Sequence, residues 1–188
     1  SSGQHGRIAH LTKALILGVD GQDGSYLAEL LFEKEYQVVG WIPENIHISL
    51  DNIQHLGDKL PLVKGDLRDQ ESLLACLEEH QPDEIYNLAA PSSPTASWEA
   101  VTMVGDVAGL GVGRLLEAIR RTGPKARFDE ASSSELFGNP VEVPRRETTP
   151  FQPRKPYGIS KLYVLWLTVR HRERYGLHAL SGILFNHE

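Results

Sequence analysis

Residues 13–34 read as strand, glycine turn and helix, and this unit constrains the fold more than any other stretch of the chain. Lys13, Ala14, Leu15, Ile16 and Leu17 form a short apolar run that ends at Gly18. Val19, Asp20, Gly21, Gln22, Asp23 and Gly24 follow. From Ser25 to Lys34, the residues Leu27, Leu30, Leu31 and Lys34 fall at helical spacing. Glycines in such a turn permit positive φ and let the backbone approach a ligand closely. The helix beyond it offers unpaired N–H groups and the positive end of its dipole, which suits a pyrophosphate. The spacing is Gly-x-x-Gly-x-x-Gly rather than Gly-x-Gly-x-x-Gly. A plain strand-to-helix turn is the bland alternative.

The rest of the chain repeats the alternation. Strands are expected at 37–42, 60–64, 83–90, 127–132 and 178–185. Helices are expected from Asp69 to His80, from Ser97 to Arg121 and from Tyr157 to Tyr175. In the second of these, Val101, Val104, Ala108, Val112, Leu115 and Ile119 make an apolar stripe. Gly105, Gly109, Gly111 and Gly113 weaken that helix by about 1 kcal/mol each relative to Ala, so close packing is their expected use. Strands alternating with helices imply right-handed crossovers and an α/β fold with a doubly wound parallel sheet of Rossmann type. Residues 1–11 are polar and unpatterned, a flexible N-terminal segment; 12–188 form one dinucleotide-binding domain.

Near the other end, Ser133 and Glu135 precede Tyr157 and Lys161. Tyr157 and Lys161 are four apart, so on a helix both project from one face. A phenol with a pKa of about 10 is too weakly acidic to act as a base at neutral pH. An ammonium held beside it favours the phenolate. Ser133 offers a hydroxyl to orient a substrate, and Glu135 a second base, so two different protons come within reach. Taken alone, Tyr-x-x-x-Lys is as well explained by a packed tyrosine and a solvated lysine.

Composition narrows the partners. A net charge of −6 argues against a nucleic-acid footprint. Arg170, Arg172 and Arg174 alternate with His171 and Glu173 as a solvated helix face. Cys76 is the only cysteine, which rules out a disulfide framework or a thiolate metal site, and the eight histidines lack ligand spacing. No run of about 20 apolar residues suggests a membrane span, and no signal peptide is expected from the opening residues. A cytoplasmic enzyme is the expectation.

Several segments together resemble the GDP-mannose 4,6-dehydratases, extended short-chain dehydrogenases/reductases that act on nucleotide sugars. They are residues 21–29, 65–67, 84–88, 134–136, 147–151, 156–158 with Lys161, and the closing run from Gly182 to Glu188. The resemblance implies a redox-neutral dehydration. Tyr157, assisted by Lys161, takes the proton of the sugar's 4-hydroxyl while hydride leaves C4 for a nicotinamide. Glu135 then takes the C5 proton, water leaves C6, and the hydride returns to C6. Ser133 stands where the family usually has threonine. For the cofactor, the resemblance assigns Gly18, Val19, Asp20, Gly21, Gln22 and Asp23 to the pyrophosphate loop. It gives Asp66 and Leu67 to the adenine edge, Leu88, Ala89, Ala90 and Ser92 to strand four, and Lys161 and His187 to further contacts. It also implies a homodimer or higher oligomer through the helices at 97–121 and 157–175.

Departures from the family pattern are equally specific. Pro43 and Glu44 replace paired arginines that hold the 2′-phosphate of NADP. NADP follows from the resemblance, whereas Glu44 suits the free ribose 2′-hydroxyl of NAD. Leu17 and Asp20 replace threonines of the glycine loop, and Asp20 places negative charge near a pyrophosphate. Pro91, Ser93, Pro94 and Met103 also differ from the usual residues. The family continues past the equivalent of Glu188 into a smaller substrate lobe, largely absent from these 188 residues, so poor turnover of GDP-mannose is expected. Three readings stay open: a nucleotide-sugar 4,6-dehydratase, a related epimerase or reductase, and a non-catalytic dinucleotide-binding module. Glu135 discriminates the first two, since simple 4-epimerisation needs no C5 base.

Overall fold

The computed structural model describes residues 10–44, 47–89, 100–133 and 155–184. The side chains of Ser132, Ser133, Ile183 and Leu184 fall outside that description. Six strands build the sheet: β1 (Lys13–Leu17), β2 (Gln37–Pro43), β3 (Leu62–Gly65), β4 (Glu84–Asn87), β5 (Arg127–Ser133) and β6 (His178–Leu184). Every pairing is parallel, and the spatial order is β3-β2-β1-β4-β5-β6. That order winds outward both ways from β1 and makes the crevice beyond β1 and β4 the topological switch point.

Local chemistry sets the helix ends. Helix α1 (Gln22–Glu33) starts after Gly21 without a side-chain cap and carries Asp23 in its first turn. Helix α2 (Gln70–His80) is capped by Asp69, whose carboxylate accepts the Glu71 N–H at 3.0 Å. Then come α3 (Val101–Val104), a π-helical turn (Gly105–Leu110) and α4 (Gly111–Thr122), which run on continuously. Helix α5 (Pro156–Tyr175) opens on a proline, whose missing N–H costs nothing there, and closes on Gly176 in the left-handed conformation at φ +67°.

The two sheet faces are dressed differently. One carries Leu15, Leu17, Trp41, Ile85 and Phe128 against α2, α4 and α5, in the larger core, with Leu115, Leu116 and Ile119 from α4. Truncating one of these to alanine would cost about 2–5 kcal/mol. The other carries Ala14, Ile16, Val38 and Ile42 against Ala28 and Leu31 of α1, with Ile53 and Leu60 from the segment after β2. On that second face, Glu84 receives two phenols, Tyr36 at 3.1 Å and Tyr86 at 2.6 Å, and Arg127 lies 3.5 Å from Asp129.

Helix α1 starts three residues earlier than the leucine spacing predicts, and Leu30 faces out. Gly24 sets the inward face: a Cβ there would lie 2.8 Å from the Val19 Cα, so Gly24, Ser25, Ala28 and Leu31 turn to the sheet. The helix expected from Ser97 begins its described part at Val101 and contains the π turn. Val104, Ala108, Val112, Leu115 and Ile119 are buried as expected, whereas Val101 is exposed. Close packing holds for Gly111, where a Cβ would meet Leu67 at 3.0 Å, and Gly113, where it would meet Leu167 at 3.2 Å; Gly105 faces open space. Strand β3 starts at Leu62 rather than 60, and β4 spans four residues, so Leu88 and Ala89 have already left the strand.

Candidate functional site

Gly18 ends β1 at φ +79°, a conformation that strains any residue with a Cβ. Its N–H donates to the Trp41 carbonyl at 3.1 Å, and the Leu88 N–H donates to the Leu17 carbonyl at 2.9 Å. These bonds draw the ends of β1, β2 and β4 together. Gly21 returns to the Gly18 carbonyl at 3.2 Å, which closes the turn before α1. Gln22 and Asp23 form the first turn of that helix, and Val19 is fully buried beneath it. Burial pushes the half-buried Asp20 carboxyl above the usual range, against the pull of a backbone hydrogen bond. Sequence reasoning missed Asn52, whose amide donates to the Asp20 carbonyl at 2.9 Å and ties the segment after β2 to the turn.

Glu44 follows β2 in an exposed position, and its N–H donates to the Gly65 carbonyl at 3.0 Å. Asp66 lies just beyond β3. Its carboxylate takes a two-pronged grip from Arg68, with Nε at 3.0 Å from Oδ1 and Nη2 at 2.7 Å from Oδ2. The Leu67 side chain is buried, and its carbonyl accepts Arg114 Nη1 at 3.1 Å. Arg114 also holds Asp106 in the π turn at 2.7 Å. Neither arginine carried a signal of its own, since lone arginines in a loop and on a helix read as solvated.

Tyr157 and Lys161 stand on the first turns of α5. Lys161 is 3 % exposed, and its ammonium lies 5.8 Å from the centroid of the Tyr157 ring. Nζ donates to Glu130 Oε1 at 2.8 Å and to the Ala131 carbonyl at 3.0 Å. Glu130 is itself buried, and its Oε2 accepts Asn87 Nδ2 at 2.7 Å. Asn87 Oδ1 then accepts the Ala89 N–H at 3.2 Å. A continuous polar chain thus joins Lys161 to Ala89 in the crevice, where Gly18 also sits. Glu130 and Asn87 were absent from the expected site. An acidic pair in an interior strand, Asp129 and Glu130, was the signal: alternation must turn one of them toward the buried face.

Contacts therefore run from Gly18 through Ala89, Asn87 and Glu130 to Lys161, which stands beside Tyr157. Glu44, Asp66 and Leu67 lie at the ends of β2 and β3 beside the crevice. Ser133 ends β5 in register with Leu184, with its side chain undescribed. Glu135, Ala90, Ser92 and His187 lie outside the described residues. Chemically, the crevice combines a helix N-terminus suited to an anion with a phenol beside a buried ammonium. Among the described residues, no group of His, Cys, Asp and Glu is placed to hold a metal ion, and no helix is long and apolar enough to cross a membrane.

Residues 15–188 match the family model for GDP-mannose 4,6 dehydratase. The chain belongs to this family. A GDP-mannose 4,6-dehydratase of Yersinia enterocolitica is 48% identical over 187 residues, covering 95% of this chain and 50% of that protein. The GDP-mannose 4,6 dehydratase of Homo sapiens is 45% identical over 185 residues, covering 93% and 50%. The chain thus spans about half the length of these family members. Among solved structures, a UDP-glucose 4-epimerase from Brucella ovis in complex with NAD superposes with a TM-score of 0.83 at 26% identity, covering 93% of this chain and 52% of that one. The family's sequence likeness and the epimerase's shape agree on the doubly wound sheet.

Proposed function

We propose that residues 12–188 are the dinucleotide-binding domain of a nucleotide-sugar 4,6-dehydratase that acts on GDP-mannose. The observation that supports this most is the Tyr157/Lys161 pair, linked by buried side chains to the crevice beside the glycine turn, in a chain 45–48% identical to GDP-mannose 4,6-dehydratases. The residues fit a nicotinamide dinucleotide: an uncapped helix N-terminus follows a glycine turn at the switch point of a β3-β2-β1-β4-β5-β6 sheet. Gly18 through Asp23 would hold its pyrophosphate, Asp66 and Leu67 its adenine edge, and Leu88 to Ser92, Lys161 and His187 its remaining length. When bound, it supplies a hydride acceptor that later gives the hydride back.

The chain's own residues move the protons. Tyr157, as phenolate favoured by the Lys161 ammonium, takes the 4-hydroxyl proton as C4 loses hydride. Ser133 donates a hydrogen bond to the 4-oxygen. The 4-ketone acidifies the C5 proton, which Glu135 removes; the 6-hydroxyl takes up a proton and leaves as water, the hydride taken from C4 goes to C6, and C5 regains a proton. The product is a 4-keto-6-deoxy sugar, formed without net oxidation.

Glu44 after β2 disfavours the 2′-phosphate, so NAD is favoured over the NADP expected from the family resemblance. Self-association is part of the same reading. Val101, Met103 and Leu110 on one helical run, and Ile159, Tyr163 and Trp166 on α5, are 45–58 % exposed. Gly109, whose Cβ would meet Tyr163 at 3.6 Å and Ser160 at 3.7 Å, packs the two runs into one surface that suits a second copy. Cys76, a buried thiol pushed up to about 11, fits a reducing cytoplasm.

Calorimetry with NAD and with NADP, followed by mass spectrometry of GDP-mannose incubated with the protein, tests the reading. NAD should bind at least as tightly as NADP, and in protein that turns over GDP-mannose the product should be lighter by one water. An isomer of unchanged mass would point to an epimerase instead, and failure of both dinucleotides to bind would remove the reading.

A further inference from the structure

Glu130 and Lys161 are 31 residues apart, yet they meet in the interior, with each oxygen of the carboxylate hydrogen-bonded. Oε1 takes the ammonium at 2.8 Å, and Oε2 takes Asn87 at 2.7 Å. The Ala131 carbonyl takes a second ammonium N–H at 3.0 Å. The ammonium lies 5.8 Å from the centroid of the Tyr157 ring. Removing two charges from water is costly, and such a pair persists only when well matched and hydrogen-bonded. A lysine buried without a carboxylate gives up its proton readily, because low dielectric penalises the ammonium. A neutral amine in its place would no longer stabilise a phenolate.

We propose that Glu130 is a positioning residue that keeps Lys161 charged and fixed beside Tyr157, while Asn87 ties the pair to the Ala89 amide in the crevice. This rests on the reading of Tyr157 and Lys161 as the acid–base pair. Among the described residues, the titratable groups facing Lys161 are Glu130 from β5 and Tyr157 from α5, and β4 contributes the neutral Asn87. Burial acts to lower the Lys161 pKa, and Glu130 together with Tyr157 more than reverses it, so the lysine stays above its ordinary value. Burial likewise raises Glu130, against the downward pull of Lys161 and Asn87.

The test is an NMR titration of the lysine Nζ groups in isotope-labelled chain, with the Lys161 signal identified by its loss in Lys161→Met. It needs neither cofactor nor turnover, so it decides the proposal even where NAD and NADP both fail to bind and the dinucleotide reading falls. In the unaltered chain, Lys161 should lose its proton at higher pH than the other lysines; a midpoint below theirs overturns the proposal. Glu130→Gln keeps the size and an acceptor but loses the charge. It should lower the Lys161 midpoint by at least about one pH unit, tenfold in the protonated fraction. An unmoved midpoint refutes the idea. Glu130→Asp, which keeps the charge, should restore most of the shift, whereas a role in packing alone would make Asp and Gln behave alike. If Glu130→Gln does not fold, the unaltered chain and Glu130→Asp still decide: Lys161 must titrate above the other lysines in the first and no lower than them in the second.

Discussion

Gly18 touches Ala89 through backbone alone: a Cβ on Gly18 would lie 2.7 Å from the Ala89 nitrogen and equally close to the carbonyl carbon and oxygen of Leu88. None of those three atoms can move aside without breaking the end of β4. Gly18→Ala therefore meets a steric conflict as well as a φ of +79°. It should cost roughly 2–4 kcal/mol in urea denaturation. Gly57→Ala is the control. Gly57 also has positive φ, at +51° with ψ −134°, but open space around it, so backbone strain of roughly 1–3 kcal/mol applies there without any clash. Equal losses at the two positions would contradict the close approach.

Asp20 sets a pH dependence at the same turn. Its folded pKa is raised by burial, so the protonated form persists to higher pH than in the unfolded chain. The stabilisation this gives is present below the unfolded pKa and lost as pH rises through the folded one. A neutral Asp20 also repels a pyrophosphate less, so NAD affinity should climb as pH falls through that range. Asp20→Asn should flatten the climb and tighten NAD binding roughly fivefold at neutral pH. Calorimetry at several pH values checks both.

Most of the sheet was legible, because buried parallel strands read as apolar runs and each glycine turn punctuates them. The start of α1 was not, since Gln22-Asp23-Gly24 looks like turn until Gly24 is seen packed on Val19. The π turn was equally hidden: Gly105 to Leu110 differs from α-helical sequence by nothing local. For the candidate site, the sequence exposed Tyr157 and Lys161 by their four-residue spacing. It hinted at a buried carboxylate through the Asp129–Glu130 pair but concealed the partner of Glu130, which is 31 residues away. Long-range pairing of charges leaves no periodic trace.

The acid–base roles separate kinetically. In protein that turns over GDP-mannose, Tyr157→Phe should abolish the first oxidation, with a loss of about 10²–10⁴-fold. Glu135→Gln should allow hydride to leave C4 and then stall, so that reduced nicotinamide accumulates and absorbs. Stopped-flow absorbance distinguishes them; similar small losses in both variants would contradict the assignment.

The exposed surface shared by α5 and the run from Val101 to Leu110 should join two copies at micromolar concentration. Trp166→Glu introduces a charge at its middle and should give a monomer by light scattering. Because Trp166 is about half exposed in the single chain, its thermal unfolding as a monomer should shift little. A monomer before substitution would end this proposal.

Glu84 gives the sheet a wettable side. It gathers the hydroxyls of Tyr36 and Tyr86 on its two oxygens, near the Arg127–Asp129 pair. Two aromatic rings there lie with their apolar flanks on the strands and their phenol heads bound to a carboxylate. Burial, followed by the bond to Glu84, makes Tyr86 a much weaker acid than an ordinary phenol, so this arrangement persists into strongly alkaline solution. The β4–β5 half of that face thereby acquires a tiled coat of its own side chains. Among the described residues, that coat lies over β4 and β5 as α1 lies over β1 and β2.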